Sequence, residues 1–584
     1  MASAPAFGQT TSTDMRVLSE DDVHRYRVIL EDERAGRFDD AEAQFANLND
    51  TSLKGYMLAE HYLSPHGKRV PVQDLVAWLH EYSELPPADR IYDLAVKRST
   101  KKVRHHHHTI LVAIVTDIPA PRPAARRRGG GYEDVDLPEG GYESDAARAA
   151  LPQIEQYVKV DQPDQANAVL QSLAGRATPV DIARLTHRVA ASYLAEGMDQ
   201  QAYALASDVE PVSKHAVPLL YWDAGLAAYR INKFHEAGQQ FEELAQAGAV
   251  PNWTRSAAAF WAARSHLQDG DAQDYITLLQ VAAKSEPTFY GLIAERVLGQ
   301  DTETGFSDPV VTAQDFQAVV QDPAAHRAVA LWQIGDREDA AEELNRAFGE
   351  SDGNHDPVFV ALADKMNAAN LELRASETSA SRGVMLNGLF PVPDYHPDGG
   401  YRIDPSLVLA FARIESRFQP GVTSPAGARG LMQLMPGTAV HIAGPGAAER
   451  LTDPSYNLTL GQRYIEELLA QLNGNLFELA AAYNAGPGAL TRWMGAKSDK
   501  MGDPLLFIES MPVPETRAYV KRMMTYHWMY RRRMGRDAKS LDETAQGGWP
   551  LYRPADMPSP VLTPPATSQP TVVNQQISDA RPTP

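Results

Sequence analysis

The stretch 413-RIESRFQPGVTSPAGARGLMQLMPGTA-439 sets one carboxylate, Glu415, beside a serine and ahead of a run of Pro, Gly and Ala. No second acid, histidine or cysteine stands near it, so any chemistry it performs rests on a single carboxyl group. Upstream, Asp404-Pro405 reads as an N-cap followed by proline at the first helical position, opening a helix that runs to about Arg417. Leu407, Phe411, Ile414 and Phe418 fall on one stripe, the core face of that helix. At about 100° per residue, Glu415 lies beside Val408 on the border of the stripe, in the last turn. Partial desolvation and the negative end of the helix dipole both disfavour its carboxylate form and raise its pKa. Such a glutamate holds a proton near neutral pH and can donate it as a general acid. By position alone a solvated helix residue is the favoured reading, and the following segment shifts that balance.

Pro425 to Gly430 is too flexible to be core, and Gly430 to Met435 is expected to form a short helix stopped by Pro436. Small residues such as Gly430 let backbone approach a ligand closely, Gln433 offers both a donor and an acceptor, and Met432 and Met435 provide an adaptable apolar wall. Asp453-Pro454 repeats the earlier helix start, and 458-LTLGQRYIEELLAQL-472 carries an apolar face expected in the core. Asn475 and Glu478 suit a capping box, a structural role for Glu478. That helix ends at 483-YNAGPG-488, where Gly486 suits a left-handed C-cap.

These elements need a scaffold, and the rest of the chain supplies helices. The 584 residues carry a soft expectation of about four domains. From 15 to 100, stretches such as 40-DAEAQFANL-48 and 73-QDLVAWLHEYSEL-85 repeat apolar residues at three and four. From about 145 to 375 the chain is Ala-rich and helical. The stretches 221–245, 260–283 and 328–347 share one rhythm, a helix, a short turn and a second Ala-rich helix. Such pairs stack because neither helix buries its apolar face alone. The fold class is therefore all-α, an α-superhelix with tetratricopeptide-like helix pairs over 15–386, followed by a compact helical unit over 401–540. Pro and Gly between 387 and 400 suggest a hinge. Residues 1–14 are expected to be flexible, and the Pro-rich tail 541–584 to be disordered. A basic and then Pro, Arg and Gly-rich tract at 99–141 reads as a loop or insertion. Its histidines His105 to His108 are consecutive, without ligand spacing, and are read as solvated loop residues, so no metal site is assigned.

Composition excludes several classes. Acidic residues outnumber basic ones by 75 to 55, for a formal charge of −20, which argues against nucleic acid as partner. With no cysteine there is no disulfide or thiolate chemistry. The longest apolar run, 110-ILVAIV-115, is too short to span a bilayer. The opening MASAPAFGQTTSTDMRVLSEDD shows no basic n-region and no apolar h-region, so it carries no readable secretion signal, and its start is expected to be a mature terminus behind an added Met.

The set 414-IESRF-418, 424-SPAGARGLMQLMPGTA-439, 453-DPSYNLTLG-461, 481-AAYNAGPG-488 and 512-PVPETRAYV-520 resembles the catalytic domain of the soluble lytic transglycosylases, glycoside hydrolase family 23, with its lysozyme-like helical fold. The superhelix is more loosely similar to that of the same family's large periplasmic members, through 257-AAAFWAARSHL-267 and 288-TFYGLIAERVLG-299. The resemblance implies that Glu415 is both acid and base on the bond between N-acetylmuramic acid and N-acetylglucosamine in peptidoglycan, giving a 1,6-anhydro product. It implies that Ser424 and Gln433 contact the glycan or its acetamido group and that Met435 lines the cleft. Tyr483 would steady the acetamido group or the developing charge, with Asn484 beside it. Glu515 matches a second family glutamate, with Tyr519 one turn on. Peptidoglycan strands are then the partner, with cell-wall synthesis proteins as further candidates, no cofactor, a monomer, and a periplasmic location that needs a leader.

Two other readings compete. A hydrolytic muramidase would need a second, water-activating carboxylate, for which Asp404, Glu449 and Asp453 are the candidates. A non-catalytic peptidoglycan-binding scaffold would leave Glu415, Gln433 and Tyr483 without work. In the last helix, the aromatics of 526-YHWMYRRRMGR-536 are expected in the core, and the Arg run on a solvated face that could alternatively meet an acidic wall polymer.

Overall fold

The three stretches with a shared rhythm fold as pairs of helices, each pair joined at a residue with positive φ. Leu219–Arg230 and Phe234–Gln246 meet at Asn232, Asn252–Asp269 and Gln273–Ala283 at Gly270, and Pro323–Ile334 and Arg337–Glu350 at Gly335. Glycine and asparagine are the residues that end a helix in the left-handed conformation at least cost, so the turn chemistry sets where each pair folds back. The computed structural model describes residues 14–65, 70–105, 108–113, 118–122, 140–248, 250–284, 287–300, 306–496 and 502–553. Nearly all of these are helix or short connections. Among the described residues no helix is long and apolar enough to cross a membrane.

Two large apolar cores organise the described residues. In the first, helices from 15–99 pack against helices between 313 and 371, through Tyr26, Leu75, Trp78, Phe316, Leu331 and Phe348. Polar contacts reinforce it: Tyr56 donates to Glu343 at 2.8 Å, Arg327 pairs with Glu343 at 2.7 Å, and His326 meets Asp50 at 2.7 Å. The first helices of the superhelical region therefore touch its later ones. The second core joins helices from 145–297 to the C-terminal unit. Phe289 stacks on Trp528 with ring centroids 5.3 Å apart, and Arg264 pairs with Asp503. Buried Glu509 accepts from Tyr290 at 2.6 Å and from Lys521 at 2.9 Å.

Three features depart from expectation. Within 99–141, expected to be a loop or insertion, Thr100–His105 and His108–Ala113 pair as an antiparallel hairpin. The run 108-HTILVAIV-115 is β-branched and apolar, a composition that favours strand over loop. The rest of that tract lies largely outside the described residues, as do 1–13 and 554–584. Residues 541–553, placed in the disordered tail, are folded. Lys539–Ala545 is a helix, Pro550 accepts from the Leu476 amide at 2.9 Å, and Trp549 packs on Phe507. Trp549 and Tyr552 supply the apolar surface that a Pro-rich composition otherwise lacks. Finally, the Arg run is not a solvated face throughout: Arg531 is buried against Asp404, and Arg532 pairs with Glu295 at 3.1 Å.

Candidate active site

The helix Pro405–Ser416 carries Glu415 in its last turn, with Leu407 and Phe411 fully buried beneath it. Asp404 caps its start through the Ser406 amide at 3.0 Å. Pro514–Arg533 packs across this helix and brings the hydroxyl of buried Tyr519 within 2.5 Å of Glu415 Oε1, to which it donates. Burial pushes the Glu415 carboxyl up to about 7; the Tyr519 hydrogen bond pulls it back down, and the negative charge of Glu515 pushes it up again. A side chain in this state carries a transferable proton near neutral pH and is a competent base once that proton has left.

The segment 421–435 folds as a tight loop rather than the expected short helix. Ser424 and Gln433 both bind it together. Ser424 Oγ accepts from the Ala428 amide at 3.0 Å, which leaves its own proton to give. Gln433, itself at φ +46, donates its amide to the carbonyls of Gly430 at 2.9 Å and Val422 at 3.2 Å, leaving its side-chain oxygen as an acceptor. Met435 is 43% exposed at the loop's end, where it can line a cleft.

Gly430 and Met432, expected to contact a ligand, are both packed within the domain. Met432 is 0% exposed, its sulfur seated over Gly461. A Cβ on Gly430 would lie 2.1 Å from the Leu451 carbonyl oxygen and 2.3 Å from Asn457 Nδ2, so the missing side chain makes room for packing. Buried Asn457 ties the loop down, accepting from the Met432 amide at 2.8 Å and donating to the carbonyls of Arg429 and Leu451.

Tyr483 lies at the end of helix Leu476–Ala485, its ring 4.5 Å from that of Phe411 and 5.4 Å from that of Tyr464. Its hydroxyl donates to the Met432 carbonyl at 2.8 Å, so its oxygen remains only as an acceptor. Burial and then the charge of Glu415 hold its proton on. Asn484 Oδ1 accepts from Thr516 at 2.7 Å, leaving the Asn484 amide to donate. Glu515 is exposed in the first turn of its helix. Thr516 and Tyr464 were not singled out in the sequence. Each sits on an ordinary amphipathic helix, and neither carries a local signal.

None of the three candidate second carboxylates is among the charges that shift Glu415. Asp404 stands eleven residues before Glu415, at about 1.5 Å per residue some 16 Å along the same helix. It is fully buried between Arg531 and Arg536. Asp453 caps the Tyr456 amide at 3.2 Å and pairs with Arg450 at 2.9 Å. Glu449 is exposed, and the carboxylate whose charge reaches Glu415 is Glu515.

Residues 397–505 match the family described as the transglycosylase SLT domain. Over 154 residues the chain is 40% identical to the soluble lytic murein transglycosylase of Escherichia coli K12, covering 25% of this chain and 24% of that protein. The counterpart from Salmonella typhimurium is 41% identical over 154 residues, covering 25% of this chain and 23% of that protein. The matched stretch thus spans about a quarter of the length of these relatives. Beyond it, the lytic transglycosylase Slt of Pseudomonas aeruginosa, solved as an inactive mutant, superposes with a TM-score of 0.54 at 20% identity, covering 92% of this chain and 75% of that one. The two share a fold.

Proposed function

We propose, from the premise that residues 397–505 form a transglycosylase SLT domain, that this chain is a lytic transglycosylase of the bacterial cell wall. Its substrate is the β-1,4 bond between N-acetylmuramic acid and N-acetylglucosamine, met in the periplasm. The catalytic unit is 401–540 and the superhelical region 15–386 is its scaffold. The observation that carries the reading is a desolvated carboxyl whose pKa is raised to about 7 and to which Tyr519 donates, while Asp404 is taken up by Arg531 and Arg536.

Glu415, protonated, gives its proton to the glycosidic oxygen as the C1–O bond breaks. The N-acetyl group of the muramic acid stabilises the cation that develops at C1, a substrate-assisted route that needs no protein nucleophile. Glu415, now a carboxylate, takes the proton of the C6 hydroxyl, and O6 closes on C1. Glycan and enzyme leave with the atoms they brought: C1 exchanges O4 of the neighbouring sugar for its own O6, and Glu415 regains the proton it gave. The acceptor oxygen of Tyr483 suits the acetamido N–H, the Ser424 hydroxyl and the Asn484 amide offer donors, and Gln433 offers an acceptor. Glu515 contributes negative charge beside the developing cation. Digestion of purified sacculi followed by mass spectrometry tests the reaction. Muropeptides lighter by one water than their hydrolytic counterparts support it, and reducing-end products of full mass would establish a muramidase instead.

A further inference from the structure

We propose that Asn370 and Glu377, on the Ala369–Ala380 helix of the superhelical region, are positioning residues for Glu415, acting through the backbone turn at Arg417 and Phe418. The proposal rests on Glu415 being the acid. The helix that carries Glu415 is not ended by glycine. Arg417 takes φ 52 and ψ 39, and Phe418 follows at φ 62, two consecutive side-chain-bearing residues in the left-handed region. L-residues resist that conformation, and it persists where surrounding contacts impose it.

Three contacts impose it here, and two come from the superhelix. Asn370 Nδ2 donates to the Arg417 carbonyl at 2.7 Å. The Arg417 guanidinium pairs with Glu377, which is only 2% exposed, at 2.5 Å. Residues 370 and 377 are two turns apart and share a helix face, so one surface grips both the backbone and the side chain of Arg417. The Phe418 ring is buried near Tyr395, with centroids 6.5 Å apart. Glu415 stands two residues before this clamp, in the turn closed by the Arg417 amide on the Arg413 carbonyl at 3.0 Å. Its raised pKa and its 2.5 Å bond to Tyr519 both depend on where that last turn sits. Loosening the turn by about 1 Å is enough to spoil an aligned proton transfer. A scaffold helix distant in sequence thereby sets the geometry of the acid.

The test uses the full chain on purified sacculi. Asn370→Ala is expected to lower kcat by about tenfold with KM nearly unchanged, and to move the midpoint of the pH–rate profile, because Glu415 changes surroundings. Glu377→Ala should behave alike, whereas Glu377→Gln, still able to accept from Arg417, should restore most of the rate. Wild-type kcat and an unmoved pH profile in Asn370→Ala, whatever its melting temperature, would overturn the proposal. Should that variant not fold, the Glu377 pair decides: loss in alanine restored by glutamine supports the clamp, and equal rates refute it. If the wild-type chain releases no muropeptides, the functional reading fails instead. Amide hydrogen exchange over 416–419 then judges the clamp, faster in Asn370→Ala if it holds and unchanged if it does not.

Discussion

Replacing Glu415 with glutamine keeps the shape and the oxygen that accepts from Tyr519 while removing the charge. If the carboxyl is desolvated as its surroundings imply, the substitution abolishes bond cleavage and at the same time stabilises the fold at alkaline pH. The size follows from the displacement of its pKa from 4.5 to about 7. That displacement is worth about 3 kcal/mol at most, and less after relaxation of the half-buried site. A carboxyl whose folded-state pKa is raised contributes its full stability below the unfolded value, and loses it as pH rises through the folded value. The wild type should therefore lose stability relative to Glu415→Gln between about pH 4.5 and pH 7, with the gap level above about pH 8. Urea unfolding of both proteins across this range, followed by the fluorescence of the tryptophans in the C-terminal unit, reads the gap directly. Sacculus binding should survive in the variant while muropeptide release vanishes. A gap that does not change with pH, or one that narrows as pH rises, would refute the argument that burial governs this carboxyl.

Two further outcomes follow from single contacts. Tyr519→Phe removes a hydrogen bond that favours the ionised form of Glu415, so the alkaline limb of the pH–rate profile should move upward while kcat falls by about tenfold; a limb that moves downward contradicts the assignment. Gly430→Ala forces a Cβ against the Leu451 carbonyl at a backbone φ of +79, and should cost more than about 1 kcal/mol in a thermal melt; an unchanged melting temperature would show that the loop has room after all.

Where a feature is local, the sequence alone was enough. Asp404-Pro405 and the Leu407, Phe411, Phe418 stripe determined a helix and put Glu415 at its margin, because capping and periodicity operate within a few residues. The short turns between paired helices were legible for the same reason, and the structure puts Asn232, Gly270 and Gly335 in them at positive φ. The motif string around Glu415 also carried the likeness to the transglycosylase domain that the comparison found at 397–505. The hairpin after Ser99 lies where a loop or insertion is expected, its strand signal set in a basic, histidine-rich surround.

What only the tertiary structure decided was which side chains meet. Tyr519 reaches Glu415 from 104 residues away, and Asp404 is drawn off by Arg531 from 127 residues away. Met432 looked like cleft wall and is sealed under Gly461, while Asn370 and Glu377 gave no hint of reaching Arg417. Periodicity states which face of a helix is buried but not what buries it. That partner is selected by the packing of whole helices across more than a hundred residues, and the protonation state of Glu415 follows from that packing.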